Sequence, residues 1–249
     1  MDRIYTDVLI IGSGLSGLST ALSLAEKNAK VLIVTKESID VSNSANAQGG
    51  IASVVDFGHD SFEKHIKDTI SAGAGLNKED VVRFFVENGP DAINYFKDLG
   101  CVFTENEQGT LDLGKEGGHT ERRVVHAGDM TGMELIRAIK KGVLNHPEIT
   151  VLENHTAVDL ITTSKFMLSD HNRIIGAYVL NDKENVITII AKAVLLATGG
   201  CGKVYLYTSN PDVTTGDGVA IGFRAGVSAV NMEMIQFNPT ILYHEKVTS

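Results

Sequence analysis

Three glycines with the spacing Gly12-x-Gly14-x-x-Gly17 carry the clearest chemical signal in the sequence. They follow an apolar run of strand length and lead into a helix-forming segment, and a second apolar run closes a β-α-β unit over residues 6–36. In such a unit the first glycine permits a tight turn, the second lets a pyrophosphate approach the backbone, and the third allows close helix packing. The N-terminus of the helix favours an anion. The motif therefore predicts a dinucleotide site.

The residues after the second strand do not decide which dinucleotide binds. An acidic residue about 20 residues beyond the glycines commonly accepts a hydrogen bond from the adenosine ribose. Here the strand ends in Lys36 and Glu37, so the acidic residue comes slightly late and a lysine stands where a carboxylate is usual. The β-α-β unit alone predicts an adenine dinucleotide and leaves NAD and FAD open.

A charged segment over residues 113–129 is the second region whose residue types could do chemistry. Between Glu116 and Asp129 it holds two histidines, two arginines and three carboxylates around the pair Gly117-Gly118. One interpretation is a solvated loop. The other is a site for a small anionic substrate, in which the arginine forks bind carboxylates and Glu116 binds an ammonium group.

Two further segments are typical of ligand contact. Small polar residues over 42–50, ending in Gly49-Gly50, run straight into an apolar stretch, which predicts a loop with close backbone approach to a ligand. Asp217 opens a predicted helix that ends at Arg224. Its carboxylate is well placed to accept from a sugar hydroxyl, although a role as N-cap alone would also explain it.

Composition restricts the class of protein. The 249 residues, 43% hydrophobic and 21% charged, are ordinary for a globular protein, and a net charge of −9 argues against nucleic acid as a partner. Cys101 and Cys201 lie far apart without CxxC spacing, so we expect neither a metal site nor a disulfide. No run approaches the roughly 20 apolar residues of a membrane span, and no signal peptide fits the start. We therefore expect a cytoplasmic protein without membrane contact.

Periodicity supplies the elements that must position these residues. Amphipathic spacing predicts helices over 61–72, 78–88, 91–99 and 133–144, the second of them capped by Asn77. Alternation predicts an antiparallel meander from strands at 150–153, 157–163, 174–180 and 186–190. A buried strand over 193–197 then ends in the turn Thr198-Gly199-Gly200.

In their order along the chain, these segments resemble the flavoprotein family of succinate dehydrogenase, fumarate reductase and L-aspartate oxidase. The resemblance covers essentially the whole chain and rests on the glycine motif and on the segments 47–50, 197–200, 209–211, 216–218 and 236–240. Within the family, residues 116–119 with Arg122, Arg123, His126 and Asp129 are most similar to the L-aspartate oxidases, as are residues 202–205.

The resemblance implies an α/β fold: a Rossmann-like FAD-binding domain with a central parallel sheet and an antiparallel β-meander. The whole of 1–249 would belong to this domain, with the β-α-β unit at 6–36, a helical insert at 60–146, the meander at 149–191 and a return to the sheet at 192–226. We expect the family's capping domain and C-terminal part to be absent from these residues.

FAD is the cofactor that the resemblance implies. Asn43 stands five residues before Gln48, where dehydrogenase members attach FAD covalently through a histidine, and an asparagine cannot form that bond. We therefore expect noncovalent FAD and no metal. The residues expected to contact it are Gly12, Ser13, Gly14, Leu15, Ser16, Gly17, Lys36, Asn43, Ser44, Ala45, Asn46, Ala47, Gln48, Gly49, Gly50, Thr156, Ala157, Thr198, Gly199, Gly200 and Asp217.

The implied activity is FAD-dependent oxidation of L-aspartate to iminoaspartate, with O₂ or fumarate as acceptor, in de novo NAD biosynthesis. Glu116 would orient the substrate ammonium. Asn238 stands where the family has a substrate-binding histidine; it can hydrogen-bond a carboxylate but lacks the imidazolium charge.

Two alternatives stay open at this point. One is a soluble flavoprotein similar to fumarate reductase or succinate dehydrogenase, and the other is a noncatalytic FAD-binding fragment. Because an FAD-binding domain without its remaining half would expose apolar surface, self-association is also expected.

Overall fold

A computed structural model describes residues 3–166 and 171–237 of the chain. The helices within these ranges are α1 (Leu15–Ala25), α2 (Phe62–Ala72), α3 (Glu79–Glu87), α4 (Gly89–Asp98), α5 (Thr131–Asn145) and α6 (Asp217–Arg224). The strands are β1 (Arg3–Ile11), β2 (Val31–Val34), β3 (Ile51–Ala52), β4 (Leu113–Gly114), β5 (Val124–Val125), β6 (Ile149–Leu152), β7 (Thr156–Thr162), β8 (Ile174–Leu180) and β9 (Val186–Leu196).

These elements form two compact units. The first unit consists of the described residues up to Asn43 and from Lys140 onward, and the second unit is Ser44–Ile139. The division falls within α5. The single-domain bounds predicted from the sequence, with the helical insert at 60–146 and the meander at 149–191, stay a prediction.

The first unit is built on a six-stranded sheet in the order β6-β2-β1-β9-β8-β7. Strand β1 runs parallel to both β2 and β9, and β2 runs parallel to β6. Strands β7, β8 and β9 are joined in antiparallel pairs. The predicted α/β class, with a central parallel sheet and an antiparallel meander, is confirmed.

Both faces of the parallel strands are covered. On one face, Leu9 and Leu32 share a core cluster with Leu160, Val179 and Ile189 of the meander. Helix α1 packs against β1 and β2. Its buried residues recur at the i, i+3, i+4, i+7 spacing of an amphipathic helix: Leu18, Ala21, Leu22 and Ala25.

Two strands of this sheet differ from the sequence-based prediction. Strand β6 was predicted to belong to the meander, but it pairs in parallel with β2, because alternation identifies a strand without identifying its neighbour. The residues predicted as two strands, 186–190 and 193–197, form the single strand β9. No glycine or proline interrupts β9, and it pairs with β1 from Thr188 to Leu196.

The second unit combines helices α2, α3 and α4 with a small sheet in the order β3-β5-β4. Helices α2 and α3 pack together through Ile66, Val82 and Val86. Asn77 was predicted to cap α3, but the N-cap residue is Lys78, and the Asn77 side chain instead donates to the Thr69 carbonyl at 3.4 Å.

Close backbone packing at Gly17 gives a test of the β-α-β geometry. A Cβ at this position would lie 2.2 Å from the Gly12 carbonyl oxygen. We expect Gly17→Ala to lower the free energy of unfolding by about 1–3 kcal/mol, the cost of overpacking, although alanine is the better helix former. Urea denaturation measures the change. Gly200→Ala is the matched control, because no described atom lies within 4 Å of its Cβ position. Equal losses in the two variants would contradict the packing account.

Candidate functional site

The glycine turn after β1 lies against the ends of two neighbouring strands. Gly12 has a φ of +111°, and a Cβ there would lie 2.2 Å from the Ala197 carbonyl oxygen, so only glycine fits. The Gly12 N–H donates to the Val34 carbonyl at 2.9 Å, and the Ala197 N–H donates to the Ile11 carbonyl at 2.8 Å. The turn is therefore fixed against the carboxyl ends of β2 and β9.

Helix α1 begins directly after this turn and presents its N-terminus there. Gly14 is the N-cap residue with extended backbone, and no side chain in the described part of the chain caps the helix. The Ser13 hydroxyl is buried and lies 2.8 Å from the Thr35 hydroxyl, which ties the turn to the end of β2. An uncapped helix N-terminus beside a glycine turn has the backbone donors and the dipole that favour an anion such as a phosphate group.

A second glycine turn follows β9 at the same edge of the sheet. Gly199 has a φ of +69°, and no described atom lies within 4 Å of the Cβ position at Gly199 or Gly200. The Thr198 hydroxyl lies 1.8 Å from the Cβ position of Gly218, so α6 approaches this turn closely. Ligands of open α/β sheets bind outside the carboxyl ends of the strands, where these two turns meet.

Lys36, at the end of β2, binds the turn that precedes α6. Its ammonium group lies 2.5 Å from the Asp217 carboxylate and donates to the Thr215 hydroxyl at 2.6 Å and the Val213 carbonyl at 2.8 Å. Burial alone would raise the pKa of Asp217, but the hydrogen bonds from Lys36 and Thr215 and the charge of Lys36 lower it. Asp217 is therefore held as a carboxylate beside the end of β2.

Three other residues predicted to contact the cofactor, Asn43, Thr156 and Ala157, lie in the same unit. The Asn43 side-chain amide donates to the Thr214 hydroxyl at 3.1 Å and to the Asn210 side-chain oxygen at 3.3 Å. The His155 N–H donates to the Thr35 carbonyl at 2.9 Å, which brings Thr156 and Ala157, at the start of β7, close to the end of β2.

The predicted ligand loop over 44–50 belongs to the second unit. The Gly132 N–H donates to the Ala47 carbonyl at 2.9 Å, and a Cβ on Gly132 would lie 1.9 Å from the Ser44 carbonyl oxygen. A Cβ on Gly50 would lie 2.4 Å from the Val125 carbonyl oxygen. Residues 46–50 are exposed, so the loop is anchored from one side and presents the other.

Glu116 lies beside this loop. Its side-chain oxygen Oε1 is 3.1 Å from the position that a Cβ on Gly49 would take. The His119 N–H donates to the Glu116 carbonyl at 3.3 Å, and Gly118 has a φ of +83°, so Glu116 opens a tight turn. The glutamate is exposed and its carboxylate is available to a ligand.

Arg123 does not bind a substrate, in contrast to the arginine-fork interpretation of the sequence. Its side chain is completely buried, and its Nε and Nη2 donate to the two oxygens of Asp60 at 2.7 and 2.9 Å. Its Nη1 donates to Asp68 at 2.6 Å. Sequence reasoning missed both aspartates, because they precede Arg123 by 63 and 55 residues and no local pattern links them.

The buried groups around Arg123 have shifted pKa values. Burial alone would raise the pKa of Asp68, but hydrogen bonds from the Thr120 backbone N–H, from Arg123 and from the Thr120 hydroxyl lower it to about 2. Burial, and after it the charge of Arg123, lowers the pKa of His65, which favours the neutral imidazole. The cluster therefore contains two carboxylates and one guanidinium.

An open cavity of about 920 Å³ in the second unit does not suit a dicarboxylate. Its ionisable lining consists of Asp56, His59, Asp112, Glu121 and Arg122. Three carboxylates against one arginine would repel an anionic ligand, and Glu116 is not part of this lining. The cavity and the Glu116 turn are therefore different features of this unit.

Several other sequence-based expectations concern single residues or absences. Asn238 lies outside the described residues. In the described ranges, no helix is long and apolar enough to cross a membrane, and no group of three or more His, Cys, Asp and Glu side chains is placed to hold a metal ion. Burial raises the pKa of the Cys101 thiol to about 11, which favours an unreactive thiol.

The fold and the two glycine turns define a dinucleotide-binding α/β protein of the Rossmann-like class. Residues 7–249 match the family model described as FAD binding domain, and the chain belongs to this family. FAD is accordingly its cofactor. The residues present fit that group: a turn that only glycine can form, an uncapped helix N-terminus and a carboxylate held at the same edge of the sheet.

Comparison with individual proteins confirms the predicted family. The chain is 48% identical over 244 residues to the L-aspartate oxidase of Vibrio cholerae, covering 96% of this chain and 45% of that protein. It is 31% identical to a variant of the Escherichia coli quinol fumarate reductase FrdA, with a TM-score of 0.83 over 90% of this chain and 37% of that one. For Mycobacterium smegmatis Sdh1 the identity is 30% and the TM-score 0.84, over 90% and 39%. The chain spans less than half the length of these relatives.

The low pKa of Asp68 gives a test of the buried cluster. Because the carboxylate has a pKa of about 2 in the folded chain and 3.8 as the ordinary value, its contribution to stability is complete above about pH 4 and is lost as the pH falls towards 2. We expect Asp68→Asn to lower stability at neutral pH and to flatten the stability profile between about pH 4 and 2. Urea denaturation at a series of pH values measures both. Parallel profiles for the variant and the unaltered chain would show that Asp68 titrates normally.

Proposed function

We propose that this chain is the cofactor-binding part of an FAD-dependent enzyme that oxidises L-aspartate to iminoaspartate. The observation that carries the proposal is the Glu116 carboxylate beside Gly49, because a carboxylate at a substrate site needs a cationic partner. An α-amino acid supplies that cation as its ammonium group, whereas a plain dicarboxylate has none. The identity of 48% to an L-aspartate oxidase supports the same substrate.

The first unit would hold the FAD. Its pyrophosphate would bind at the turn from Gly12 to Gly17, with Ser13, Gly14, Leu15 and Ser16 at the helix N-terminus, and Thr198, Gly199 and Gly200 at the second turn. Thr156 and Ala157 would line the site near the end of β2. When bound, FAD supplies the two-electron acceptor for the substrate. Asn43 would leave it noncovalent.

The pairing of Lys36 with Asp217 accounts for the lysine at the end of β2. Asp217 would accept a hydrogen bond from a ribose hydroxyl of FAD, the role that an acidic residue at the end of β2 commonly has. Lys36 would fix and neutralise that carboxylate, since its three donors are directed to Asp217, Thr215 and Val213. In this chain the acidic residue that binds the ribose would therefore come from the start of α6 and not from the end of β2.

The remaining predicted residues would contact the cofactor or the substrate. The loop Ser44, Ala45, Asn46, Ala47, Gln48, Gly49 and Gly50 would approach the cofactor, and Glu116 would orient the substrate ammonium. Asn238 would contact a substrate carboxylate through its side-chain amide. O₂ or fumarate as acceptor, de novo NAD biosynthesis as the pathway, a cytoplasmic location and self-association belong to the same proposal.

A plain dicarboxylate enzyme is the second candidate. The TM-score of 0.83 to a quinol fumarate reductase favours it, because the same fold supports fumarate reduction in that protein. A third candidate is an FAD-binding chain without turnover. Glu116 separates the first two candidates, since fumarate offers no ammonium to bind.

Glu116→Gln tests the aspartate assignment. The substitution keeps the size of the side chain and removes its charge. Because a charge-assisted bond is lost, the affinity for aspartate should fall by about tenfold or more, and the affinity for fumarate should change little. Ligand titration of the FAD-loaded full-length protein, followed by the flavin absorbance, measures both affinities.

Glu107→Gln is the matched control for this variant. Glu107 is also an exposed glutamate of the second unit, but it lies outside the segment 113–129. We expect this control to leave both affinities unchanged. If Glu116→Gln lost affinity for aspartate and for fumarate equally, the assignment would be contradicted and a role for Glu116 in the fold alone would be favoured.

A further inference from the structure

We infer that Arg123 is a positioning residue, whose buried cluster with Asp60 and Asp68 fixes the turn that carries Glu116. The turn is defined here as residues 115–122. The inference rests on the proposed function, because the turn matters for substrate choice only if Glu116 binds the substrate ammonium. Its structural part, that the cluster orders the turn, can be tested by itself.

All three nitrogens of the Arg123 guanidinium donate hydrogen bonds within the cluster. Nε and Nη2 form a two-pronged bond with Asp60, and Nη1 bonds Asp68, while the arginine side chain is completely buried. This planar arrangement requires arginine, since a lysine ammonium is a single point charge that cannot bind both oxygens of Asp60 in the same way. The two aspartates lie before and within α2, so the guanidinium is fixed to that helix.

Asp68 passes this order on to the turn. Its Oδ2 accepts hydrogen bonds from the Thr120 backbone N–H at 2.8 Å and from the Thr120 hydroxyl at 2.9 Å. The Arg123 backbone N–H donates to the Gly114 carbonyl at 3.1 Å, which closes the two ends of the turn on each other. The turn is therefore held at its base by Arg123 and near its middle by Asp68.

Beyond these contacts, Glu121 pairs with Lys64 of α2 at 2.7 Å and Arg122 donates to the Leu113 carbonyl at 3.1 Å, both on the far side of the turn from Glu116 in sequence. Residues 115–118 are exposed, and no described atom lies within 4 Å of the Cβ position at Gly117 or Gly118. Two adjacent glycines without packing neighbours have large conformational freedom in the unfolded chain and lose it on folding. Within the turn, the Lys115 ammonium donates to the Thr120 carbonyl at 2.7 Å, so this contact also depends on where Thr120 is held.

His119 connects the cluster to the segment next to Glu116. Its Nδ1 lies 3.3 Å from Arg123 Nη1, and its ring packs edge to face on the buried His65 ring with centroids 5.6 Å apart. The His119 N–H then donates to the Glu116 carbonyl. An unbroken series of contacts therefore runs from the buried guanidinium to the backbone of Glu116.

A role in fixing one conformation fits the energetics of the cluster. Buried ion pairs are weak sources of stability, because the desolvation of the charges offsets their attraction. The cluster also carries two carboxylates against one guanidinium. What the geometry supplies is directional: five hydrogen bonds that define where Thr120 and Arg123 lie.

The test compares Arg123→Lys and Asp68→Asn with a surface control. Arg83→Lys is the matched control, because Arg83 of α3 also bonds two carboxylates, with a fork to Glu63 of α2 and a bond to Glu87 at 3.3 Å, but with exposed side chains. Hydrogen exchange of the backbone amides of the turn is measured in the full chain. We expect exchange at 115–122 to become about tenfold faster or more in the two cluster variants and to stay unchanged in Arg83→Lys, with α3 and α4 unchanged in the two cluster variants.

A second readout addresses substrate choice. The ratio of aspartate to fumarate affinity, measured in the FAD-loaded full-length protein, should fall in Arg123→Lys and Asp68→Asn towards the ratio of Glu116→Gln, and it should not fall in Arg83→Lys. Asp68→Asn keeps the fork between Arg123 and Asp60, so it remains informative if Arg123→Lys does not fold.

The outcomes separate the two claims. Unchanged exchange at 115–122, or equally faster exchange across α3 and α4, would overturn the positioning role. A ratio that changes in Glu116→Gln but not in the cluster variants would overturn their effect on substrate choice. A ratio that does not change in Glu116→Gln would overturn the proposed function, and the exchange data would still decide whether the cluster orders the turn.

Discussion

The first unit depends on the contact between the backbone of Gly12 and the Ala197 carbonyl oxygen, which leaves no space for a side chain. This contact exists because β1 lies between β2 and β9 and runs parallel to both. Parallel strands end at the same edge of a sheet, so the turns that follow β1 and β9 come together there. A larger residue at Gly12 would separate the turns and displace the N-terminus of α1.

Each unit contains one cation–carboxylate contact that bears on the predicted site, and the two contacts differ in burial. Lys36 and Asp217 are partly exposed. Arg123 and Asp60 are buried, and their hydrogen bonds are directed at each other. The same type of contact thus leaves a carboxylate partly exposed in the first unit and buries an arginine in the second.

The sequence predicts the features that depend on neighbouring residues. The β-α-β unit, the glycine turn and the helix from Asp217 to Arg224 each follow from local spacing, and the structure contains them. Contacts between distant residues were not predictable in this way. Lys36 is an anomaly when only the end of β2 is considered, and its role becomes clear only once Asp217 is found beside it. Arg123 has the residue type of a substrate ligand, and only the fold shows that two aspartates occupy its donors. The parallel pairing of β6 is another such case, since alternation does not specify a neighbour.

The central claim is that this chain binds FAD without a covalent bond, at the edge of the sheet where the glycine turns meet. The most direct measurement is the visible absorbance of the purified chain after addition of FAD and removal of excess, followed by acid precipitation. We expect a flavin spectrum that stays with the folded protein and moves entirely into the supernatant after precipitation. A chain that takes up no flavin, or a flavin that remains in the precipitate, would contradict it.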